Sequence, residues 1–126
     1  MIARLLLVGG GGFVGSILRY AVSGAVQRWS DSASFPWGTL SVNVLGCLVI
    51  GGLGGLADAR QVLGPEARQF LMLGLLGGFT TFSTFGYETL TLMRDGQFVR
   101  ATGNVVGTVM LCLFAVWLGY TLGSAR

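Results

Sequence analysis

Four long apolar stretches constrain the fold of this chain more than any other feature. They cover residues 5–26, 37–57, 70–93 and 101–122, and each reaches the length of about 20 mainly apolar residues that a membrane-spanning helix needs. With 52% hydrophobic and 10% charged residues, the chain is too apolar for an ordinary soluble domain. We predict an all-α integral membrane protein in the cell (inner) membrane, with residues 1–126 forming a single four-helix transmembrane domain.

A polar segment interrupts the third stretch. Residues 77–85 read Gly-Gly-Phe-Thr-Thr-Phe-Ser-Thr-Phe, which places two glycines and four hydroxyl groups within a span. Glycine lowers helix propensity by about 1 kcal/mol relative to alanine. Backbone groups that a break releases inside a bilayer must be buried in protein or line a cavity. Thr80 and Thr81 add smaller penalties, so we predict that the third helix unwinds within this segment and that a conduction or binding site lies there.

The loop charges indicate no preferred orientation in the membrane, which normally follows the Lys/Arg bias of short loops. All eight basic residues are arginine. Four of them lie on the membrane side of the two termini: Arg4, Arg60, Arg68 and Arg126. Three lie on the other side: Arg28, Arg94 and Arg100. Arg19 lies within the first stretch and leans towards this second side. We predict insertion both ways and an antiparallel (dual-topology) homodimer. The alternative is a fixed orientation set by Arg4 or by other proteins.

Pairs of glycines four residues apart occur in every stretch. Small residues at this spacing let helix backbones approach closely in lipid. The spacing therefore predicts tight helix packing at Gly11/Gly15, Gly51/Gly55, Gly74/Gly78, Gly103/Gly107 and Gly119/Gly123.

The residue types present argue against most enzyme chemistry. The chain has no histidine, so imidazole metal sites and histidine-based catalysis are excluded. Cys47 and Cys112 both lie in apolar stretches, where we interpret them as small hydrophobic residues rather than as a disulfide. We therefore predict that the protein is not an enzyme.

Few polar side chains lie within the stretches. Asn43 has Thr39 and Cys47 four residues before and after it, and Asn104, Thr108 and Cys112 form a second stripe. Threonine hydroxyls can bond to their own helix, and asparagine amides can join two helices. An unpaired amide in lipid costs several kcal/mol, roughly, so Asn43 requires a ligand or a specific partner.

Two charged residues lie in or near the stretches. Arg19 either extends to the interface or lines a vestibule that attracts anions. Glu88 is expected near the aqueous mouth, and neither residue has an oppositely charged partner at helical spacing. The first stretch has no carboxylate to drive a dual-topology, proton-coupled exporter of the small multidrug type, which we keep as the alternative function. A non-transporting membrane subunit is a third possibility.

The nine-residue motif at 77–85, together with Asn43 in a glycine-rich second stretch, resembles the Fluc (CrcB) family of fluoride channels. The resemblance covers the whole chain. It implies a passive fluoride-selective channel that exports fluoride and relieves its toxicity. It also implies an antiparallel homodimer in the lipid membrane, with two fluoride pathways and a structural sodium ion at the dimer interface; no nucleic-acid partner is expected.

The same resemblance assigns roles to individual residues. It places Asn43, Phe82, Phe85 and Thr108 on the fluoride pathway, where amide donors and ring edges face the anion, although plain core packing explains the two rings more simply from the sequence alone. The motif hydroxyls Ser83 and Thr84 belong to the same pathway, and Cys112 stands where a hydroxyl is expected. Arg19 is assigned to the vestibule, and the backbone carbonyls of Gly77 and Thr80 to sodium.

Overall fold

A computed structural model describes residues 1–125 of the protein. Arg126, which we counted among the loop charges, lies outside the described residues. Within this range all regular elements are helical. They are α1 (Ile2–Trp29), α2 (Trp37–Arg60), α3 (Pro65–Arg68), a π-helical segment (Gln69–Leu75), α4 (Leu76–Phe79), α5 (Phe82–Arg94) and α6 (Phe98–Ser124).

Four spans are long and apolar enough to cross a membrane, as predicted. Three are the single helices α1, α2 and α6, and the third span runs from Pro65 to Arg94 through α3, the π segment, α4 and α5. The helices continue a few residues past the apolar stretches, so only residues 61–64 separate the second span from the third. Helices persist there because polar residues are well tolerated once the chain leaves the hydrocarbon.

Local backbone signals explain where the helices end. Gln61 adopts a left-handed conformation (φ 50°) and ends α2, and Pro65 at the first turn then starts α3 with its φ already suited to a helix. Gly96 also has a positive φ of 73°, which glycine tolerates without a steric penalty. It lets the Gln97 N–H donate to the Leu92 carbonyl at 2.8 Å and reverses the chain between α5 and α6.

Helices α2 and α6 form the most extensive helix pair of the molecule. Their predicted glycine pairs lie at this contact, where backbone meets backbone. A β-carbon at Gly119 would lie 2.8 Å from the Gly52 nitrogen, and one at Gly51 would lie 3.0 Å from the Tyr120 nitrogen. Side chains larger than hydrogen do not fit at these positions, so the glycines set the distance between the helices.

Helix α1 packs against the π segment and α4 through the other two predicted pairs that make close contacts. A β-carbon at Gly74 would lie 3.0 Å from the Gly11 Cα, and one at Gly78 would lie 2.6 Å from the Gly12 carbonyl oxygen. The prediction fails at Gly103 and Gly107, since no heavy atom lies within 4 Å of a β-carbon there. That face of α6 is open in the single chain, because its neighbours pack on the opposite face.

Candidate functional site

The third span is broken at Thr80 and Thr81. Both residues have extended backbones, with φ −89° and ψ 156° at Thr80 and φ −152° and ψ 122° at Thr81. The break lies within the predicted segment but only at its threonines, because Gly77 and Gly78 remain in the helical turn of α4. Packing of Gly78 on α1 holds this turn, and the low helix propensity of the glycines does not decide where the chain unwinds.

Asn43 holds the break open from the neighbouring helix α2. Its Oδ1 accepts a hydrogen bond from the Thr81 N–H at 2.8 Å, and its Nδ2 donates to the Thr81 carbonyl at 3.0 Å. The side chain is buried, so an amide left without partners would be costly. Asn43 thus has the specific partner that the sequence required, and it pairs with the extended Thr81 backbone as a neighbouring strand would.

Two carbonyls at the break lose the donors that a continuous helix would give them. The Thr81 N–H, which would bond to the Gly77 carbonyl, donates to Asn43. The Thr84 N–H, which would bond to the Thr80 carbonyl, donates to the Thr81 Oγ1 at 3.3 Å and so caps α5. Both carbonyl oxygens are therefore available to a ligand, which follows from the position of the break.

Gly46 on α2 makes room for this backbone. A β-carbon at Gly46 would collide with the Cγ2 methyl of Thr80. The Thr80 side chain cannot turn away freely, since its Oγ1 donates to the Leu76 carbonyl at 2.9 Å. The motif of the third span therefore depends on a glycine in the second, which sequence spacing does not reveal.

Most of the predicted site residues line one cavity of about 450 Å³ beside the break. It lies between α2, α4, α5 and α6. The predicted residues that it brings together are Asn43, Gly77, Thr80, Phe82, Phe85, Thr108 and Cys112. The cavity combines an amide, hydroxyls, a thiol, backbone and two aromatic rings.

The two aromatic rings pack against each other, as their spacing predicts. The ring centroids of Phe82 and Phe85 are 5.4 Å apart and the rings are inclined by 47°. Phe85 is 8% exposed and belongs to the core, whereas Phe82 is 81% exposed in the single chain. An exposed ring next to a cavity leaves one side of the site open.

Thr108 belongs to a chain of hydrogen bonds that the sequence predicts only in part. Its hydroxyl donates to the Asn104 Oδ1 at 3.3 Å, the Asn104 Nδ2 donates to the Thr89 Oγ1 at 2.9 Å, and that hydroxyl donates to the Phe85 carbonyl at 2.8 Å. Asn104 is 2% exposed. The predicted stripe of α6 therefore faces the third span, and Thr89 completes it from a helix that spacing along α6 cannot identify.

Arg19 and Thr84 lie apart from these residues. They line a second cavity of about 350 Å³ on the other side of the break, together with Thr81 and Thr39. Ser83 is exposed, with its Oγ 3.4 Å from the Thr81 Oγ1. The break thus separates the large apolar cavity from a smaller one that contains the arginine.

Glu88 has a partner that the sequence did not predict. Its Oε1 accepts a hydrogen bond from the Thr39 hydroxyl at 2.7 Å, while its Oε2 is buried without a hydrogen-bond partner among residues 1–125. Thr39 is on α2, one turn before Asn43. The same face of α2 therefore binds the third span at two places, at the break and at the Glu88 carboxylate about two turns beyond it.

Comparison with known proteins finds relatives that match nearly the whole chain. Residues 6–120 match the family described as CrcB-like protein, Camphor Resistance (CrcB). A protein of Opitutus terrae is 52% identical over 113 residues, which are 87% of this chain and 84% of that relative. A Thermus thermophilus protein is 48% identical over 122 residues, or 97% and 96% of the two chains.

Both relatives carry the name Fluoride-specific ion channel FluC, as does a Rhodospirillum rubrum protein that is 47% identical over 117 residues, 91% of this chain and 90% of the relative. The four spans and these matches agree with the resemblance seen in residues 77–85. The chain is a multi-pass membrane protein and belongs to the CrcB family.

Proposed function

We propose that this protein is a fluoride-specific ion channel that conducts fluoride passively out of the cell, and that it is not an enzyme. One observation carries the proposal: the chain matches relatives named as fluoride-specific channels along most of its length, and the family match over residues 6–120 spans the cavity at the break. No acidic residue lies in α1, which disfavours the proton-coupled exporter.

The chemistry of the cavity suits a small anion. Fluoride is strongly hydrated, so a path through lipid must replace its water with hydrogen-bond donors while staying too narrow for larger anions. Asn43 uses one of its two amide protons on the Thr81 carbonyl and keeps the second for an anion. Phe82 and Phe85 can present ring edges, which carry the positive part of the aromatic quadrupole. Arg19 in the second cavity would draw anions towards the break.

The proposal includes an antiparallel homodimer. The 81% exposure of Phe82 and the open face at Gly103 and Gly107 leave room for a second copy beside the site. In such a dimer the Gly77 and Thr80 carbonyls of both copies would converge. Sodium fits these residues, since hard carbonyl oxygens without helical donors are ligands that it prefers, and its charge would offset the repulsion among the carbonyl dipoles.

Reconstitution into lipid vesicles tests the function. Vesicles loaded with fluoride and given a potassium ionophore should release fluoride rapidly when the purified protein is present, as a fluoride electrode would record. Protein-free vesicles are the control. Release that requires an imposed proton gradient, or uptake of lipophilic cations in place of fluoride release, would support the exporter and contradict the channel.

Sodium removal tests the dimer and its ion together. We expect the dimer fraction and the fluoride release to fall when sodium is replaced throughout by a bulky organic cation, because the converging carbonyls then lose their counter-charge. A dimer that is equally stable and equally active without sodium would remove the ion from the proposal.

A further inference from the structure

Cys47 and Cys112 come together at the large cavity. Cys47 lies on α2 one turn after Asn43, and Cys112 lies on α6 one turn after Thr108. Both are free and half-buried, and both line the cavity.

The helices that carry the two thiols are held at a fixed distance. One turn beyond Cys47, Gly51 packs against the Val116 carbonyl, which lies one turn beyond Cys112. Glycine contacts continue along the pair at Gly55, Gly119 and Gly123. Cys47 and Cys112 therefore lie at the same level of two rigid, adjacent helices and border one cavity.

Two cysteines on one cavity can form a two-coordinate metal site. Thiolates select soft cations, and two of them suffice for an ion that prefers linear coordination. The charge must also be suitable, because a net charge in an apolar cavity is costly. A divalent ion with two thiolates is neutral, whereas a monovalent ion would leave one negative charge. The cavity therefore favours a soft divalent ion.

We propose that Cys47 and Cys112 bind one soft divalent metal ion, such as Hg(II), as a bridge between α2 and α6, and that the bound ion blocks the cavity to fluoride. With mercuric chloride as the source, two S–H bonds and two Hg–Cl bonds break, two Hg–S bonds form, two protons and two chloride ions leave to water, and no atom changes its oxidation state. The second part of the proposal rests on the proposed function, since it assumes that fluoride passes through this cavity.

Mass spectrometry of the intact, folded protein tests the site without any flux measurement. With one equivalent of mercuric chloride, the full chain should gain the mass of one mercury atom less two protons. Cys47→Ser and Cys112→Ser each leave one thiol, so their adducts should lose a single proton. A small thiol competitor should strip mercury from either variant at a concentration lower by on the order of a hundredfold, because the bridge is lost. Loss of one proton in the unmodified chain, or two mercury atoms per chain, would overturn the site.

Fluoride release from vesicles tests the block. Each protein is compared with its own rate in the absence of metal, so that changes in basal flux caused by the substitutions do not matter. One equivalent of mercury should stop release by the unmodified protein, and the competitor should restore it. A bridged protein that still conducts would overturn the placement of the site on the fluoride path. If the metal-free protein does not conduct at all, the block falls with the proposed function, and the mass measurement decides the site alone.

Discussion

The α2–α6 pair and the third span differ in how their backbone hydrogen bonds are satisfied within the membrane. The pair consists of two continuous helices whose own backbone bonds are complete and whose glycines bring them into contact. The third span is divided into α3, a π segment, α4 and α5, and extended residues interrupt it. Asn43 pairs the Thr81 backbone of this break, while the carbonyls of Gly77 and Thr80 keep no helical donor. Irregular backbone is tolerated at membrane depth only where protein surrounds it, so the rigid pair is what permits the break.

Replacing Asn43 should give the largest loss of fluoride flux, because Asn43 holds the break in the third span. Asn43→Leu has a similar shape but removes both bonds to Thr81, which leaves a buried donor and a buried acceptor at a cost of about 1–3 kcal/mol each. Since about 1.4 kcal/mol corresponds to a factor of ten, we expect fluoride flux to fall by more than about tenfold. The measurement is efflux per folded protein.

Two further substitutions at this position sharpen that result. Asn43→Asp keeps an acceptor for the Thr81 N–H but sets a negative charge beside the anion path, so it should conduct less than Asn43→Ser. Flux equal to that of the unmodified protein in all three variants would remove Asn43 from the site.

Substitution in the pair should act on stability instead. Gly119→Ala puts a methyl group against the Leu48 carbonyl and 2.8 Å from the Gly52 nitrogen, where only backbone can give way. We expect a loss of about 1–3 kcal/mol in the free energy of unfolding, measured by thermal or detergent denaturation. Gly103→Ala on the same helix meets nothing within 4 Å and is the matched control. Equal losses in both would show that the contact between α2 and α6 does not limit stability.

The two phenylalanines should give similar flux but different stability. Ile keeps bulk and removes the ring edge, an interaction worth about 0.5–1.5 kcal/mol, so each variant should lose up to roughly tenfold in flux. Phe85→Ile alters the core and should also cost stability, by less than about 1.5 kcal/mol, whereas Phe82→Ile should leave the unfolding midpoint of the single chain unchanged. Normal flux in both variants would show that the two rings only pack against each other and do not act on fluoride.

The adjacent glycines of α4 should show the smallest and most local difference. Gly78→Ala meets the Gly12 carbonyl oxygen at 2.6 Å and should loosen the packing of α1 on the third span. Gly77→Ala meets nothing within 4 Å and stays helical, so it should even stabilise the isolated chain by up to about 1 kcal/mol. A loss of flux in Gly77→Ala would therefore indicate that the added methyl group disturbs the contact with the second copy in the proposed dimer, or the proposed sodium site. Equal unfolding midpoints for the two variants would contradict the assigned packing of Gly78.

The same contrast explains what the sequence predicts and what it does not. The four spans follow from hydropathy, which depends on each stretch alone, and they were predicted to within a few residues. The break was predicted within the segment of Gly77, Gly78, Thr80 and Thr81, but helix propensity alone gave the glycines the larger weight. Its true position at Thr80 and Thr81 depends on Asn43, 38 positions away along the chain.

The site was predicted in the same uneven way. Most of the predicted site residues gather at one cavity, whereas Ser83, Thr84 and Arg19 do not. The close packing of the glycine pairs is confirmed except at Gly103/Gly107. The bonds from Thr39 to Glu88 and from Asn104 to Thr89 join different helices, so no spacing along one helix reveals them. The pathway roles of these residues and the sodium ligands stay predictions.

Anion selectivity tests the central claim most directly, namely that fluoride crosses at a narrow, donor-lined break held by Asn43. One preparation of the unmodified protein is placed in vesicles loaded with fluoride or with chloride, and the release of each ion is followed after addition of a potassium ionophore. The account predicts rapid fluoride release and chloride release no faster than from protein-free vesicles. Equal release of both anions, or no release of fluoride, would contradict it.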